Sequence, residues 1–287
     1  TGTPICIAIE NADTRSKDYT PDLPRPSHAD FVARQKYGGF EDYRGGGHFS
    51  GRITAGLVAA GAIIISALNK KGIFIGSHIK RLAGVDDAAF GDLEFDIKNL
   101  NNKEFAVLDD SKASEMQNKI LEAKAKGDSV GGVLETAVVG MPVGVGEPWF
   151  DTVEGMLSKA IFSIPAVKGI EFGAGFSIAD MLGSVANDAL YYENGKIFTK
   201  TNNNGGINGG ITNGMPMIFR TAIKPTPTIS IEQETVNMAT GENVTLKAAG
   251  RHDPSIVHRA RVVVDSVTAI VLADLLATRF GTDWLVK

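Results

Sequence analysis

The pattern of apolar and polar residues along the chain predicts helices and strands in irregular alternation. Segments with helical apolar spacing end at capping or breaking residues, and short β-branched runs end at glycine, proline or asparagine. The predicted helices are 51–69, 112–126, a segment that starts near Pro148, and 254–280, with a short helical turn at 31–38. The predicted strands are 5–9, 73–75, 130–139, 168–175, 215–223, 228–232 and 244–248.

The segments between these elements are predicted to be irregular. Residues 14–30 are polar and proline-rich, 84–110 are acidic, and 183–214 are rich in asparagine and glycine. The strands and helices lack the regular spacing of βαβ units, which favours an α+β layered domain over a doubly wound sheet. No fixed period repeats along the chain, which argues against a solenoid or propeller. The length suits one large domain or two small ones, and we predict one domain over residues 1–287.

Capping signals fix the expected ends of several helices. Ser50 is the predicted N-cap of the helix 51–69, which should stop at the basic residues before Gly72. Asp110 or Ser111 should open the next helix, and Pro254 should occupy the first position of the last one.

Composition narrows the class of protein. The 287 residues are 43% hydrophobic and 22% charged, as is ordinary for a globular protein, and the net charge of −4 argues against a nucleic-acid partner. The single cysteine, Cys6, cannot form an internal disulfide, which favours a reducing cytosol. No signal peptide is recognisable, and the most apolar segment, 53–67, is short for a bilayer span. We expect a cytoplasmic protein without a membrane partner.

A glycine-rich stretch, "YRGGGHFSGR" (43–52), precedes the first long helix. Free backbone N–H groups at a helix N-terminus, together with Arg44 and Arg52, would suit an anion. A tight turn with surface arginines explains the stretch equally well. It matches neither the Walker nor the dinucleotide-binding glycine pattern.

Two further stretches combine arginine, histidine and aspartate. In "PRPSHAD" (24–30), prolines flank Arg25, and His28 suits general acid–base chemistry, although a loop histidine is more often an ordinary surface residue. In "GRHDP" (250–254), Asp253 could act chemically or could simply cap the last helix. The five histidines and one cysteine lack metal-site spacing, and no serine-hydrolase elbow occurs.

Taken together and in order, these motifs resemble the chorismate synthase family. The resemblance runs from "TGTPICIAIENADTRSKDY" to "AIVLADLL" through "RPSHAD", "KYGGFEDYRGGGHFSGRITAGLVAAGAI", "GDSVGG", "GEPWFD", "AVKGIEFG", "NNNGGINGGITNG", "KPTPTI" and "GRHDPSIVHRA". It implies a sandwich of antiparallel sheets around core helices, in a homotetramer.

The resemblance also implies an activity. The family converts 5-enolpyruvylshikimate-3-phosphate to chorismate by anti 1,4-elimination of phosphate, the last step of the shikimate pathway toward aromatic amino acids. It requires reduced FMN, which this chain, lacking a reductase domain, would take from an external reductant of the NADP-linked kind. The alternative is a truncated or non-catalytic homologue that binds a flavin or nucleotide.

Family roles can be carried over to matching positions. His28 matches a catalytic histidine proposed to protonate the reduced flavin, and Asp253 an aspartate proposed to assist deprotonation. The positions that match flavin contacts are His48, Phe49, Ser50, Pro165, Ala166, Gly209, Lys224, Pro225, Thr226, Pro227, Thr228 and Arg251. Arg25, Arg52 and Arg251 match arginines that would gather the phosphate and carboxylates of the substrate.

Several positions depart from the family pattern. The Gly-Glu-Ser-His-Gly motif, with the other catalytic histidine, does not occur in these residues, so we expect several dozen leading residues to be missing, and activity to need them. Pro165 stands where asparagine is common, His48-Phe49 replaces Arg-Ser, and Asp265 replaces a glutamate.

Overall fold

The computed structural model describes residues 2–11, 20–248 and 253–285, which contain both helices and antiparallel sheets. The α-helices are α1 (Asp30–Tyr37), α2 (Thr54–Lys70), α3 (Leu93–Leu100), α4 (Asp110–Ala125), α5 (Val153–Ile161), α6 (Gly183–Ala186) and α7 (Val257–Phe280). The strands are β1 (Phe74–Leu82), β2 (Val85–Asp86), β3 (Gly132–Val139), β4 (Val167–Phe172), β5 (Leu190–Glu193), β6 (Lys196–Thr199), β7 (Ile207–Asn208), β8 (Ile211–Thr212), β9 (Met217–Ile223), β10 (Gln233–Asn237) and β11 (Glu242–Leu246). Short 3-10 helices span Arg44–Phe49, Gly51–Ile53, Trp149–Asp151, Gly175–Asp180 and Thr282–Leu285.

The main sheet has five strands in the order β2-β1-β3-β9-β4, and each neighbouring pair is antiparallel. In β9, every second residue from Met217 to Ile223 is buried, as expected when one face of a strand lies on the core. The pairs β5–β6, β7–β8 and β10–β11 form separate hairpins.

A layer of helices covers one face of the main sheet. The helix α7 lies against β1 and β3, while α2 and α5 pack on α7. The contact between α2 and α7 is close, because a Cβ atom added at Gly61 would lie 2.3 Å from the Cβ of Ser266. Most residues of α7 are therefore buried. The fold is α+β, as predicted.

The helical stretch Gly51–Lys70 is apolar enough and long enough to cross a membrane, with a mean hydropathy of 1.8. Core helices of soluble proteins meet the same criterion, so this is weak support for a membrane span. Although little of its surface is buried, one face of α2 packs along α7, which places the helix in the layer on the sheet.

A row of charged side chains crosses the sheet on the face opposite α7. His78, Glu135, Arg220 and Glu171 are direct cross-strand neighbours on β1, β3, β9 and β4, so their side chains point to the same face. We call these four residues the charged row. Ser77 and Thr136, one position along, point to α7, where their hydroxyls hydrogen-bond to each other and that of Ser77 donates to Asp265.

Most long elements were predicted correctly, with shifted ends. The helices at 51–69, 112–126 and 254–280 and the strands at 130–139, 168–175 and 215–223 correspond to α2, α4, α7, β3, β4 and β9. The strand predicted at 73–75 is the start of the longer β1, the helical turn at 31–38 is α1, and the helix near Pro148 begins as a 3-10 turn before α5.

Five predictions were wrong, and one predicted strand is shifted. Residues 5–9 and 228–232 form no strand, and the 244–248 strand lies slightly earlier, as β11 paired with β10. The segment 84–110, predicted to be irregular, contains α3, and 183–214 contains α6 and two hairpins. Pro254 is not the first helical residue, because α7 begins at Val257. Strand pairing joins residues far apart in sequence, which local patterns do not encode.

Candidate functional site

The loop that carries Arg25 and His28 is tied to the β10–β11 hairpin. The hydroxyl of Thr235 donates to the carbonyl of Pro24 at 2.5 Å, and the backbone N–H of Met238 donates to the carbonyl of Asp22 at 2.9 Å. The loop then enters α1 at Asp30. These anchors fix the backbone from which the predicted catalytic histidine projects.

Arg25, His28 and Asp30 form a compact, largely buried cluster. Both oxygens of Asp30 accept from Arg25, from Nε at 2.8 Å and from Nη2 at 2.8 Å, and one oxygen also lies 2.6 Å from Nδ1 of His28. Burial alone would raise the pKa of Asp30, but these hydrogen bonds outweigh it and hold the pKa well below its usual range. Asp30 is therefore ionised throughout the neutral range.

Lys224 joins this cluster to the loop before β4. Its ammonium group donates to the carbonyl of Ser27 at 2.6 Å, and its backbone N–H donates to the carbonyl of Ala166 at 2.9 Å. Ser27 and Ala166 both have positive φ, 59° and 74°, which costs non-glycine residues about 1–3 kcal/mol each. Two strained residues on separate loops thus meet at one lysine, as is common at functional sites.

The segment Lys224–Thr228 also contacts the other two loops. Thr228 accepts from Nη1 of Arg25 at 3.3 Å, and the carbonyl of Thr226 accepts from the hydroxyl of Ser129 at 2.7 Å. The next residue, Val130, donates to the carbonyl of Pro254 at 2.7 Å. The structure therefore brings the loops of His28, Ala166, Lys224 and Asp253 to one end of the sheet.

Asp253 does not cap α7. The helix begins after Ile256, which makes no side-chain cap, and the carboxylate of Asp253 instead accepts from Arg259 at 2.8 Å. Both side chains of this pair are substantially exposed, so the pair is worth little stability. The capping explanation for Asp253 is wrong, and its carboxylate lies at the surface beside the site.

Phe49, like Tyr43 at the start of the same glycine-rich stretch, lies beside the cluster. It lines a small cavity of about 110 Å³ together with Arg25, Asp30 and Thr228. Ser50 caps the short 3-10 turn that precedes α2 by accepting from the N–H of Arg52 at 3.2 Å, so its predicted capping role is confirmed. His48 and Arg52 are exposed on the same segment.

One predicted position lies apart from this cluster, and another is outside the residues that the structure describes. Gly209, in the turn between β7 and β8, lies beyond the Met217 end of β9, whereas Lys224 follows the other end, about 20 Å away along the strand. Arg251, predicted to contact both flavin and substrate, lies outside the described residues. Pro165 and Pro227 are partly buried in the loops already described, and Pro225 is exposed.

The cluster is suited to an anionic ligand. Burial and the nearby charge of Lys168 lower the pKa of Lys224, as expected for two ammonium groups that share a site. Among the residues that the structure describes, the buried hydroxyl oxygen of Thr226 has no hydrogen-bond partner. An anion with hydrogen-bonding oxygens would satisfy both features.

Sequence reasoning missed two side chains of this site. Lys168 follows the Pro165–Ala166 loop, and only its position beside a matched motif could have indicated it. Asp30 directly follows "PRPSHA", where its place two residues after His28 was a usable signal.

The fold and the site define an α+β protein with a small-molecule site built from loops at one end of an antiparallel sheet. A family model described as chorismate synthase matches residues 1–277. The chain is 48% identical to the chorismate synthase of Pyrococcus abyssi over 282 residues, which cover 97% of this chain and 78% of the relative. It is 49% identical to that of Dehalococcoides mccartyi over 284 residues, or 98% of this chain and 77% of the relative.

Structural similarity agrees with these matches. A crystal structure of chorismate synthase superposes with a TM-score of 0.71 at 32% identity, over 87% of this chain and 70% of that one. The chain belongs to the chorismate synthase family, whose members are lyases, and it is an enzyme of that class. None of these similarities favours the non-catalytic alternative.

Proposed function

We propose that the protein eliminates phosphate from 5-enolpyruvylshikimate-3-phosphate, in the anti 1,4 sense, to give chorismate, with reduced FMN as cofactor. The observation that supports this site assignment is that the loops of His28, Ala166, Lys224 and Asp253, which all contain positions matched to the family, lie together. Lys224 hydrogen-bonds to Ser27 and Ala166, both of which have positive φ. The loops belong to separate parts of the sequence, so their convergence is independent of any single motif.

The residues present fit a flavin and a phosphate-bearing substrate. The segment Lys224–Thr228, the Pro165–Ala166 loop and the stretch His48–Ser50 would hold FMN, with the unpaired hydroxyl of Thr226 and the charge of Lys224 available to its polar groups. When bound, reduced FMN supplies an electron that the substrate returns, so that the reaction has no net redox change. The role of Gly209 in this site stays a prediction.

The protein's own side chains would bind charge and move protons. Arg25, Arg52 and Arg251 would hold the phosphate and carboxylates of the substrate, because departing phosphate is stabilised by fixed positive groups in a site that excludes water. His28 would act as the acid toward the flavin, and Asp253 would assist removal of the substrate proton.

The further properties that follow from family membership are also proposals. We propose a cytoplasmic enzyme that receives reduced flavin from a separate, NADP-linked reductant and assembles as a homotetramer. No nucleic-acid or membrane partner is proposed.

Phosphate release tests the function directly. With substrate and FMN under anaerobic reducing conditions, the natural full-length protein should release phosphate and form chorismate. We expect His28→Ala and Asp253→Ala each to lower turnover about 100-fold or more, because each removes a proton-transfer group, while flavin titration shows unchanged binding.

Asp86→Ala is the matched control for Asp253→Ala. It also removes an exposed aspartate paired with an arginine, Arg81, but at the far edge of the sheet, and should leave turnover unchanged. Loss of FMN affinity in either site variant would indicate a binding role instead. Absence of phosphate release by the natural protein would exclude the lyase activity.

A further inference from the structure

The carboxylate of Asp30 contacts His28 and Arg25 at the same time, and the roles carried over from the family assign nothing to it. Its side chain is only 20% exposed, and those of Arg25 and His28 are 14% and 16% exposed. As the first residue of α1, Asp30 lies at the positive end of a helix, which favours a carboxylate there.

The proton on the ring of His28 can be assigned from these contacts. Nδ1 lies 2.6 Å from Oδ1 of Asp30 and 3.1 Å from Nη2 of Arg25. A guanidinium group only donates hydrogen bonds and an ionised carboxylate only accepts them. A hydrogen bond from Arg25 requires Nδ1 without a hydrogen, whereas a hydrogen bond to Asp30 requires Nδ1 with one. Only one of the two contacts can therefore be a hydrogen bond.

The shorter contact decides which state is present. Two hydrogen bonds from the side chain of Arg25, together with one from its backbone N–H at 3.0 Å, keep Asp30 ionised. An ionised oxygen at 2.6 Å from an unprotonated nitrogen would place two lone pairs against each other. Nδ1 must carry the hydrogen, and the 3.1 Å approach of Arg25 is a contact between two donors that share Oδ1 of Asp30.

We propose that Asp30 is a positioning residue that keeps the hydrogen of His28 on Nδ1, so that Nε2 is the nitrogen that exchanges a proton in the reaction. The same carboxylate holds the guanidinium of Arg25 beside the ring. This inference rests on the proposed role of His28 as the acid. It adds which nitrogen of His28 acts and which residue selects it.

The arrangement restricts the ring in two ways. A hydrogen bond to Nδ1 fixes the rotation of the imidazole, since turning it over would bring a carbon atom against Asp30. It also leaves Nε2 as an acceptor in the neutral ring and as the free donor in the charged ring, which is what a residue that gives up and regains a proton requires. An aspartate that only capped α1 would impose neither restriction.

Nitrogen-15 NMR of the histidine rings tests the assignment without any catalytic assay. His28→Gln identifies the signals of His28 among the five histidines. In the neutral ring of the unaltered protein, the shifts should show the hydrogen on Nδ1. In Asp30→Asn, the amide can donate to Nδ1, so the form with hydrogen on Nε2 should appear.

Asp22→Asn is the matched control. Asp22 lies on the same loop and pairs with Arg34 rather than with His28, so this variant should keep the Nδ1 form. Turnover should fall about 10–100-fold in Asp30→Asn and remain unchanged in Asp22→Asn.

The outcomes separate this inference from the proposed function. Hydrogen on Nε2 in the unaltered protein overturns the role of Asp30, and that measurement needs no variant to fold. A tautomer change in Asp30→Asn with full turnover would support the assignment of the ring and reject His28 as the acid. Unchanged ring shifts in a folded Asp30→Asn protein would also reject the role of Asp30.

Discussion

Asp265 is an acidic residue in the protein core whose pKa is raised by burial. It lies fully buried on α7, where the hydroxyl of Ser77 donates to it at 2.5 Å and Arg261 approaches within 3.7 Å. Burial raises its pKa to about 6, although Arg261 and Ser77 act in the opposite direction. Between about pH 4 and pH 6, Asp265 is therefore protonated in the folded protein but ionised in the unfolded chain, where its pKa has the ordinary value of 3.8.

This difference predicts how Asp265→Asn changes stability with pH. A pKa that is higher in the folded state makes the protein less stable as pH rises from about 4 through 6, and the neutral asparagine removes that loss. Between pH 5 and pH 7.5, the free energy of unfolding of the variant should therefore gain about 1 kcal/mol relative to the unaltered protein. Urea unfolding at the two pH values measures this change.

Asp86→Asn provides the comparison at an exposed site, where the ion pair with Arg81 is solvated on the edge strand. Its stability relative to the unaltered protein should show no such gain toward higher pH. Parallel stability curves for Asp265→Asn and the unaltered protein would mean that Asp265 stays ionised in the folded state.

At the scale of the elements, the charged row links four neighbouring strands, because each of β1, β3, β9 and β4 contributes one of its residues. Arg220, on β9, lies between two carboxylates, with Nη1 at 3.2 Å from Glu135 and Nε at 2.5 Å from Glu171. His78 is fully buried between Asp87 and Glu135; burial lowers its pKa, but the two carboxylates outweigh burial and raise it. Positive and negative groups thus alternate across four strands.

Arg220→Met should destabilise the sheet strongly. The substitution removes the central cation and leaves Glu135, which is nearly buried, without one of its partners. We expect a loss of about 3 kcal/mol in the free energy of unfolding, since breaking a buried pair leaves an uncompensated charge. Urea unfolding should show a lower midpoint with an unchanged slope.

Arg81→Met is the control for this variant, because it removes an arginine from the same sheet whose pair with Asp86 is more than half exposed. It should lower the free energy of unfolding far less than Arg220→Met does, because an exposed ion pair is solvated. Equal effects of the two substitutions would show that the charged row adds nothing beyond a surface pair.

The charged row also shows what local sequence reasoning could not predict. Short apolar or β-branched runs that end at a proline-containing turn were enough to predict β3 and β9, although only β9 is buried on every second residue. The register that aligns His78 with Glu135 and Arg220 joins residues 57 and 85 positions apart, and nothing within a strand specifies it. β1 continues beyond the predicted 73–75 through polar residues that find partners only in the fold, such as His78 between Asp87 and Glu135.

The residues of the candidate site also fall into those that the sequence could indicate and those that only the fold reveals. The motifs identified His28, Lys224 and Asp253 from the sequence, and the structure places their loops together. The hydrogen bonds of Asp30 lie within the stretch "PRPSHAD", so its sequence position was a usable signal, whereas Lys168 acts on Lys224 from a separate strand and only the fold reveals it. Strain at Ser27 and Ala166 was equally hidden, since neither residue type signals a positive φ.

At the scale of the whole molecule, α2 connects the core to the candidate site. Its packing against α7 depends on close approach at Gly61, and the segment before it carries Phe49 to the cavity beside Arg25. The position of Phe49 therefore depends on how closely two helices pack, far from any residue of the site. A change in that packing should affect both stability and the ligand.

Gly61→Ala tests this connection. The added Cβ would lie 2.3 Å from the Cβ and 2.6 Å from the Cα of Ser266, so α2 must shift away from α7. We expect a loss of about 1–3 kcal/mol in the free energy of unfolding, despite the better helix propensity of alanine, together with weaker FMN binding in titrations.

Gly56→Ala makes the same change on α2 where nothing lies within 4 Å, and should instead add about 0.5–1 kcal/mol and leave binding unchanged. If Gly61→Ala were as stable as Gly56→Ala, α2 would not be held by this contact, and the cavity beside Phe49 would not depend on the helix layer.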